Sequence, residues 1–125
     1  METSVIEIQI SGMSMYPSLQ EGDFCYLTED EPVYGEIICL RNTLTKEFVI
    51  HRLHDKKKLL TKGDNSLYWD DPCEHRYIGV IRSIRRENIT AQLKPHYIFL
   101  LLSNYTTAKT PRPIRFLIKL IIRII

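Results

Sequence analysis

From Val5 to Ile10 the chain alternates, with Ile6, Ile8 and Ile10 set against Glu7 and Gln9. A repeat of two puts one set on each side of an extended backbone, so this run predicts a half-buried β-strand. Five further short runs of strand character follow: Phe24–Leu27, Glu36–Leu40, Phe48–Leu53, Lys58–Lys62 and Tyr77–Ile84. Turn-forming residues separate them, notably Glu21-Gly22-Asp23, the acidic stretch Glu29–Pro32, Asn42-Thr43 and Lys62-Gly63-Asp64-Asn65. Helix is expected at two places only, one turn over Met15–Leu19 and a longer segment over Pro113–Ile125. The pattern predicts a mainly β body, built as a coiled, partly closed sheet, followed by a C-terminal amphipathic helix.

A length of 125 residues suffices for one domain with one core. The expected division is a β domain over 1–92 and a basic, apolar tail over 93–125. Apolar residues make up 44% and charged residues 26%, a balance that excludes global disorder. Cys25, Cys39 and Cys73 are odd in number and form no C-x-x-C pair, so neither a disulfide framework nor a zinc ribbon is expected. All 15 acidic residues lie in 1–87 with 11 of the 17 basic ones, a formal balance of −4, while 88–125 holds six basic residues and no acid.

The first strand runs into Ser11-Gly12-Met13-Ser14-Met15-Tyr16-Pro17. A serine that follows a strand and a glycine, at the start of a helical turn, sits where backbone amides converge and suit an oxyanion. A serine hydroxyl is a weak nucleophile and needs a base within hydrogen-bond reach. Val49-Ile50-His51-Arg52-Leu53 offers one, because its alternation places Val49, His51 and Leu53 together on the inner face of a strand. An imidazole titrating near about pH 6.5 accepts a proton at neutral pH, and a carboxylate beside it would fix its tautomer. The run from Lys62 to Asp71 supplies three acids for that task.

Taken together, G-M-S-M-Y-P-S-L-x-x-G-D, V-I-H-R-L, T-K-G-D-N-S with a later Asp-Asp, and I-G-V-I resemble the signal peptidase I family over about residues 5–84. Histidine in the base position is similar to the ER-type and archaeal branch; LexA-like self-cleaving domains share the serine block but use lysine. The resemblance implies Ser14 as nucleophile, His51 as general base, and Asp64 and Asp71 as the acids that follow the base. It implies an oxyanion site at the amides of Gly12, Met13 and Ser14, with Met15, Pro17, Val49 and Ile50 against the substrate. It also implies a substrate bound as an extended strand with small residues at the first and third positions before the cut. Relative to the family, an N-terminal anchor is not expected ahead of the first strand, and the segment between His51 and the G-D-N block is short.

The expected activity is a serine endopeptidase that cleaves leader or signal-like segments from a peptide or small protein. Two other readings are an idle adaptor of the same fold that binds an extended peptide, and a LexA-like self-cleaving regulator. No cofactor is expected. His51 with His54, and Cys73-Glu74-His75, lack the second ligand pair of a zinc site. Lys56-Lys57-Lys58 reads as a solvated hairpin tip, and an acidic body without aromatic interleaving argues against a nucleic-acid partner.

No secretory signal opens the chain, and no apolar run reaches about 18 residues, so a cytoplasmic location is expected. On a helix Arg115, Lys119 and Arg123 would form one basic stripe on an apolar rod. At about 18 Å that rod is shorter than the roughly 30 Å hydrocarbon core and suits peripheral contact of 113–125 with the inner face of a membrane. Tyr97–Leu102, followed by small residues up to Ala108, imitates a cleavable segment and raises self-processing after Ala108.

Overall fold

Ile37, Ile38, Cys39 and Leu40 are all buried, which a strand achieves only when both of its faces are covered. In the computed structural model, which describes residues 6–93, 111–115 and 117, this strand lies inside a seven-stranded antiparallel sheet. The strands are β1 (Ile6–Gln9), β2 (Phe24–Thr28), β3 (Ile37–Asn42), β4 (Phe48–Asp55), β5 (Leu60–Lys62), β6 (His75–Arg86) and β7 (Ile89–Gln92). Their order is β1-β2-β6-β3-β4-β5, and β7 pairs with β6 beyond the end of β3. A one-turn 3₁₀ helix, Pro72–Glu74, leads into β6.

Ile37 and Cys39 turn toward the larger core, with Met15, Leu19, Cys25, Leu27 and Ile81. Ile38 and Leu40 turn to the opposite side and join Leu53 and Val80. Cys25 and Cys39 are core residues, and burial pushes both thiols up to about 12, so neither ionises near neutral pH. Cys73 is exposed.

The expected mainly β body is present, with the sheet open rather than partly closed: among the described residues no pairing joins β1 to β5. Register shifts at Tyr26/Leu27, Cys39/Leu40 and Leu53/Asp55 interrupt three of the pairings. Bulges of this kind bend strands and increase twist. The curvature brings β1 and the start of β4 to the walls of one groove, although three strands separate them in the sheet.

Two local expectations are corrected. Met15–Leu19 is a series of turns closed by Leu19 N–H donating to the Met15 carbonyl at 2.9 Å, and no regular helix forms. The Tyr16–Pro17 peptide is cis, and proline has no N–H to contribute to a helical ladder. The alternation also missed β7, because Ile89–Gln92 is exposed throughout and its turn uses Glu87 at a φ of 57° instead of a glycine. Of the described tail residues, 112–115 and 117 are helical, with Arg115 N–H donating to the Pro111 carbonyl. The rest of the expected Pro113–Ile125 helix, the Tyr97–Leu102 run and Ala108 lie outside the described residues. Among the described residues no helix is long and apolar enough to cross a membrane.

Gly79, at the centre of β6, has no room for a side chain: a Cβ there would lie 2.5 Å from the Thr28 carbonyl oxygen and 2.8 Å from a Leu27 methyl. Gly79→Ala is therefore expected to lower stability by about 1–3 kcal/mol, read as a lower urea midpoint with an unchanged slope.

Candidate active site

β1 delivers the chain into the loop that carries Ser14. Ile10 N–H donates to the Asp23 carbonyl and Gly22 N–H returns to the Ile10 carbonyl, which closes the base of the loop. Gly12, at a φ of 88°, takes the backbone through a region that favours glycine. Ser14 Oγ then lies 3.2 Å from His51 Nε2, and His51 Nδ1 lies 2.5 Å from Asp70 Oδ2. Asp70 also accepts a hydrogen bond from Thr61 Oγ1 at 2.7 Å.

The proton inventory follows from the acid. Burial alone would raise the Asp70 carboxyl, yet the hydrogen bond and charge of His51, helped by the Thr61 hydroxyl, hold it below the ordinary carboxylate value. An ionised carboxylate only accepts, so His51 Nδ1 donates to it, and in the neutral ring Nε2 is the nitrogen whose lone pair faces the Ser14 hydroxyl. That is the tautomer a general base requires.

The acids expected from the sequence are placed elsewhere. Asp64 faces Arg52, receiving Nε on one oxygen and a terminal guanidinium nitrogen on the other, each at 2.8 Å, plus the Ser18 hydroxyl at 2.7 Å. Both side chains are almost fully buried. Asp71 caps the 3₁₀ helix by accepting from Cys73 N–H at 2.9 Å, and its carbonyl receives His75 Nδ1. Asp70, one residue before Asp71, is the acid on His51. The reason is local: one of two successive residues turns inward to Thr61 and His51, and the next starts a helical turn outside.

Asn65 and Gly63 are further members of the site. Asn65 N–H donates to the Ser14 carbonyl at 2.8 Å, and its side-chain amide donates to the Met13 carbonyl at 3.1 Å. In a trans peptide the N–H points away from the C=O, so holding the Met13 carbonyl turns the Ser14 N–H to the other side. Among the described residues that N–H has no partner within the protein. Gly63 packs so closely that a Cβ would stand 2.6 Å from the Ser14 carbonyl oxygen and 3.1 Å from His51 Nε2. The signal for both was the Gly-Asp-Asn turn, whose residues sequence reasoning assigned to Asp64 alone.

A groove of about 450 Å³ opens at the Ser14–His51 pair. Ile8, Gln9 and Ile10 form one wall and Phe48, Val49 and Ile50 the other, with Met15 below. β5 pairs with β4 only at Arg52, Leu53 and Asp55, so the Phe48–Ile50 edge has no strand partner among the described residues, and the outer edge of β1 has none either. Met15, Val49 and Ile50 are among the lining residues of the groove. Gly12, Met13 and Pro17 are not: Gly12 and Met13 are exposed, and Pro17 lies in the turn that follows Ser14.

Val49 and Leu53 pack in the smaller core, as the alternation predicts, and His51 between them is buried while its ring reaches Ser14. His54, the other histidine of β4, stacks edge-on against Trp69 with ring centres 4.8 Å apart. Among the described residues no three His, Cys, Asp or Glu side chains group in the way a metal site needs.

No family model, no curated protein and no solved structure matches this chain.

Buried Asp64 and half-buried Asp70 differ in what they hold, and stability measurements separate them. Asp64→Ala removes the carboxylate facing the buried Arg52 guanidinium and is expected to cost about 3–5 kcal/mol in urea unfolding. Asp70 has a depressed folded-state pKa, so its contribution is full above the unfolded carboxylate value of about 3.9 and is lost as pH falls through the folded value. Wild type is accordingly expected to exceed Asp70→Asn in stability at pH 7, with the difference shrinking toward pH 2.

Proposed function

We propose that this protein is a serine endopeptidase of the kind the signal peptidase I resemblance implies, cutting leader-like segments from an extended peptide or small precursor protein. The observation that carries the reading is the line Ser14–His51–Asp70 at the end of a groove walled by two unpaired strand edges. A peptide laid between β1 and β4 as an added strand would satisfy those edges through its own backbone, with side-chain pockets beside Met15, Ile8 and Ile50 supplying selectivity.

In the first half-reaction His51 Nε2 takes the Ser14 proton as Oγ bonds to the scissile carbonyl carbon. The carbonyl oxygen becomes an oxyanion next to the outward-turned Ser14 N–H, and Asp70 stabilises the imidazolium. The imidazolium then gives its proton to the leaving amine, the C–N bond breaks, and the acyl group stays on Ser14. In the second half-reaction His51 removes a proton from water, the hydroxide attacks the ester, and the proton returns to Ser14 Oγ. The substrate ends as a free carboxylate and a free amine, and the enzyme is restored.

The tail belongs to the same proposal: residues 113–125 would hold the enzyme against an anionic membrane surface where precursors are presented.

The test is hydrolysis of peptides with small residues at the first and third positions before the cut, followed from pH 5 to 9. Ser14→Ala is expected to be inactive, and His51→Ala and Asp70→Asn to lose about 10²–10⁴-fold in kcat. Asp71→Ala should stay within about threefold of wild type because Asp71 only caps a turn. An Asp71→Ala loss as large as that of Asp70→Asn would overturn the assignment. Failure of a serine-reactive probe to label Ser14 would favour the idle adaptor.

A further inference from the structure

Phe48, in the β4 wall of the groove, has basic neighbours across the sheet. Phe48 on β4, Arg41 on β3 and Arg76 on β6 are successive cross-strand partners, and directly paired residues share a sheet face. They form one row: Phe48 lines the groove, the Arg41 guanidinium sits 5.5 Å from its ring centre, and Arg76 follows. Arg41, Arg76 and Lys46, with Asn42 and Thr43, enclose a separate depression of about 210 Å³.

The arginines in this row are unlike the other arginines of the sheet. Arg52, Arg82, Arg85 and Arg86 are each within salt-bridge distance of a carboxylate. Arg41, Lys46 and Arg76 have no ion pair among the described residues. Arg41 spends only its Nε, on the Lys46 carbonyl, so its terminal nitrogens remain available. Two like charges directly opposite one another are unfavourable in a sheet unless an anion is shared between them. The Asn42 side-chain oxygen is already taken by the Leu44 and Thr45 amides, so the free hydrogen-bonding capacity of the arginines and Lys46 is donor capacity.

We propose that this depression is a subsite for an acidic side chain of the substrate, a Glu or Asp carboxylate carried a few residues along the bound strand from the scissile bond. The inference rests on the peptidase reading of the groove and names the substrate class it selects. The spacing follows from strand geometry. Phe48 is three residues from His51 along β4, about 10 Å at roughly 3.3 Å per residue, and Arg41 is one strand further across. The carboxylate therefore belongs about three to five positions from the cut. A guanidinium fork matches a carboxylate with two parallel hydrogen bonds, and Arg41 and Arg76 can share its two oxygens while Lys46 closes the rim.

The test uses the full chain with Ser14→Ala, so that peptide binding is read without turnover. A fluorescent decapeptide with alanine at the first and third positions before the intended cut carries one glutamate, moved position by position on both sides of it, with the glutamine peptide as reference. Glutamate about three to five positions from the cut is expected to bind about tenfold more tightly than glutamine, a difference of about 1.4 kcal/mol. The preference should vanish in Arg41→Gln/Arg76→Gln and shrink in 0.5 M NaCl. Arg76→Glu should shift the preference to lysine at the same position, a gain that damage to folding would not produce.

Equal affinity for glutamate and glutamine at every position overturns the subsite, as does absence of binding by all peptides at millimolar concentration. Loss of anionic-vesicle binding in the double variant, without any peptide preference, overturns it in favour of a lipid surface. Hydrolysis by wild type reports separately: turnover with no glutamate preference removes the subsite alone, and glutamate-selective binding without turnover removes the peptidase and leaves the subsite on an adaptor.

Discussion

Arg52 and Asp64 meet through two parallel hydrogen bonds in the interior, and the architecture of the site depends on that pair. The guanidinium also donates to the Gly35 carbonyl at 2.7 Å, and the carboxylate accepts the Ser18 hydroxyl. Four separate pieces of chain are thereby tied at one point: β4, the approach to β3, the turn after β5 and the end of the nucleophile loop. Desolvating both charges is costly, and the extra hydrogen bonds are what make their burial tolerable. Because Arg52 follows His51 directly, anchoring one side chain also limits how far the other can move.

The turn held by Asp64 in turn shapes the loop around Ser14. Gly63 lets the turn approach the Ser14 carbonyl and the imidazole at distances that a side chain would forbid. Asn65 grips the carbonyls of Met13 and Ser14, so the orientation of the peptide planes around the nucleophile is imposed from a segment some fifty residues away. Lys62, fully buried, donates to the carbonyls of Gly63 and Ser66 and braces the same turn from behind. Asp64, expected to act on His51, contributes instead by fixing the turn that does this positioning.

The groove depends on the sheet being open and bent. A closed sheet would have paired β1 with another strand and left no edge for a peptide. Here β5 is three residues long and stops short of Phe48, leaving the start of β4 uncovered among the described residues. The free edges and the Ser14–His51–Asp70 line share one groove, and Phe48 in its wall is the cross-strand partner of Arg41 in the basic row.

How much of this was legible in the chain depended on the range of the interaction. Alternation by twos located six strands, because a strand's buried face is written in its own residues, and it failed at β7, where no face is buried. Ser14 and His51 were legible for a similar reason: a serine after a strand and glycine, and a histidine on the apolar phase of a strand, carry local signals. The choice among Asp64, Asp70 and Asp71 was not, since three acids within eight residues look alike until Thr61, Arg52 and Cys73 each claim one. The openness of the sheet, the grip of Asn65 and the Arg76–Arg41–Phe48 row were likewise settled only by tertiary structure. Local periodicity and turn chemistry determine what each segment is. Bulges, strand register and the pairing of buried charges across long sequence separations decide which segments meet.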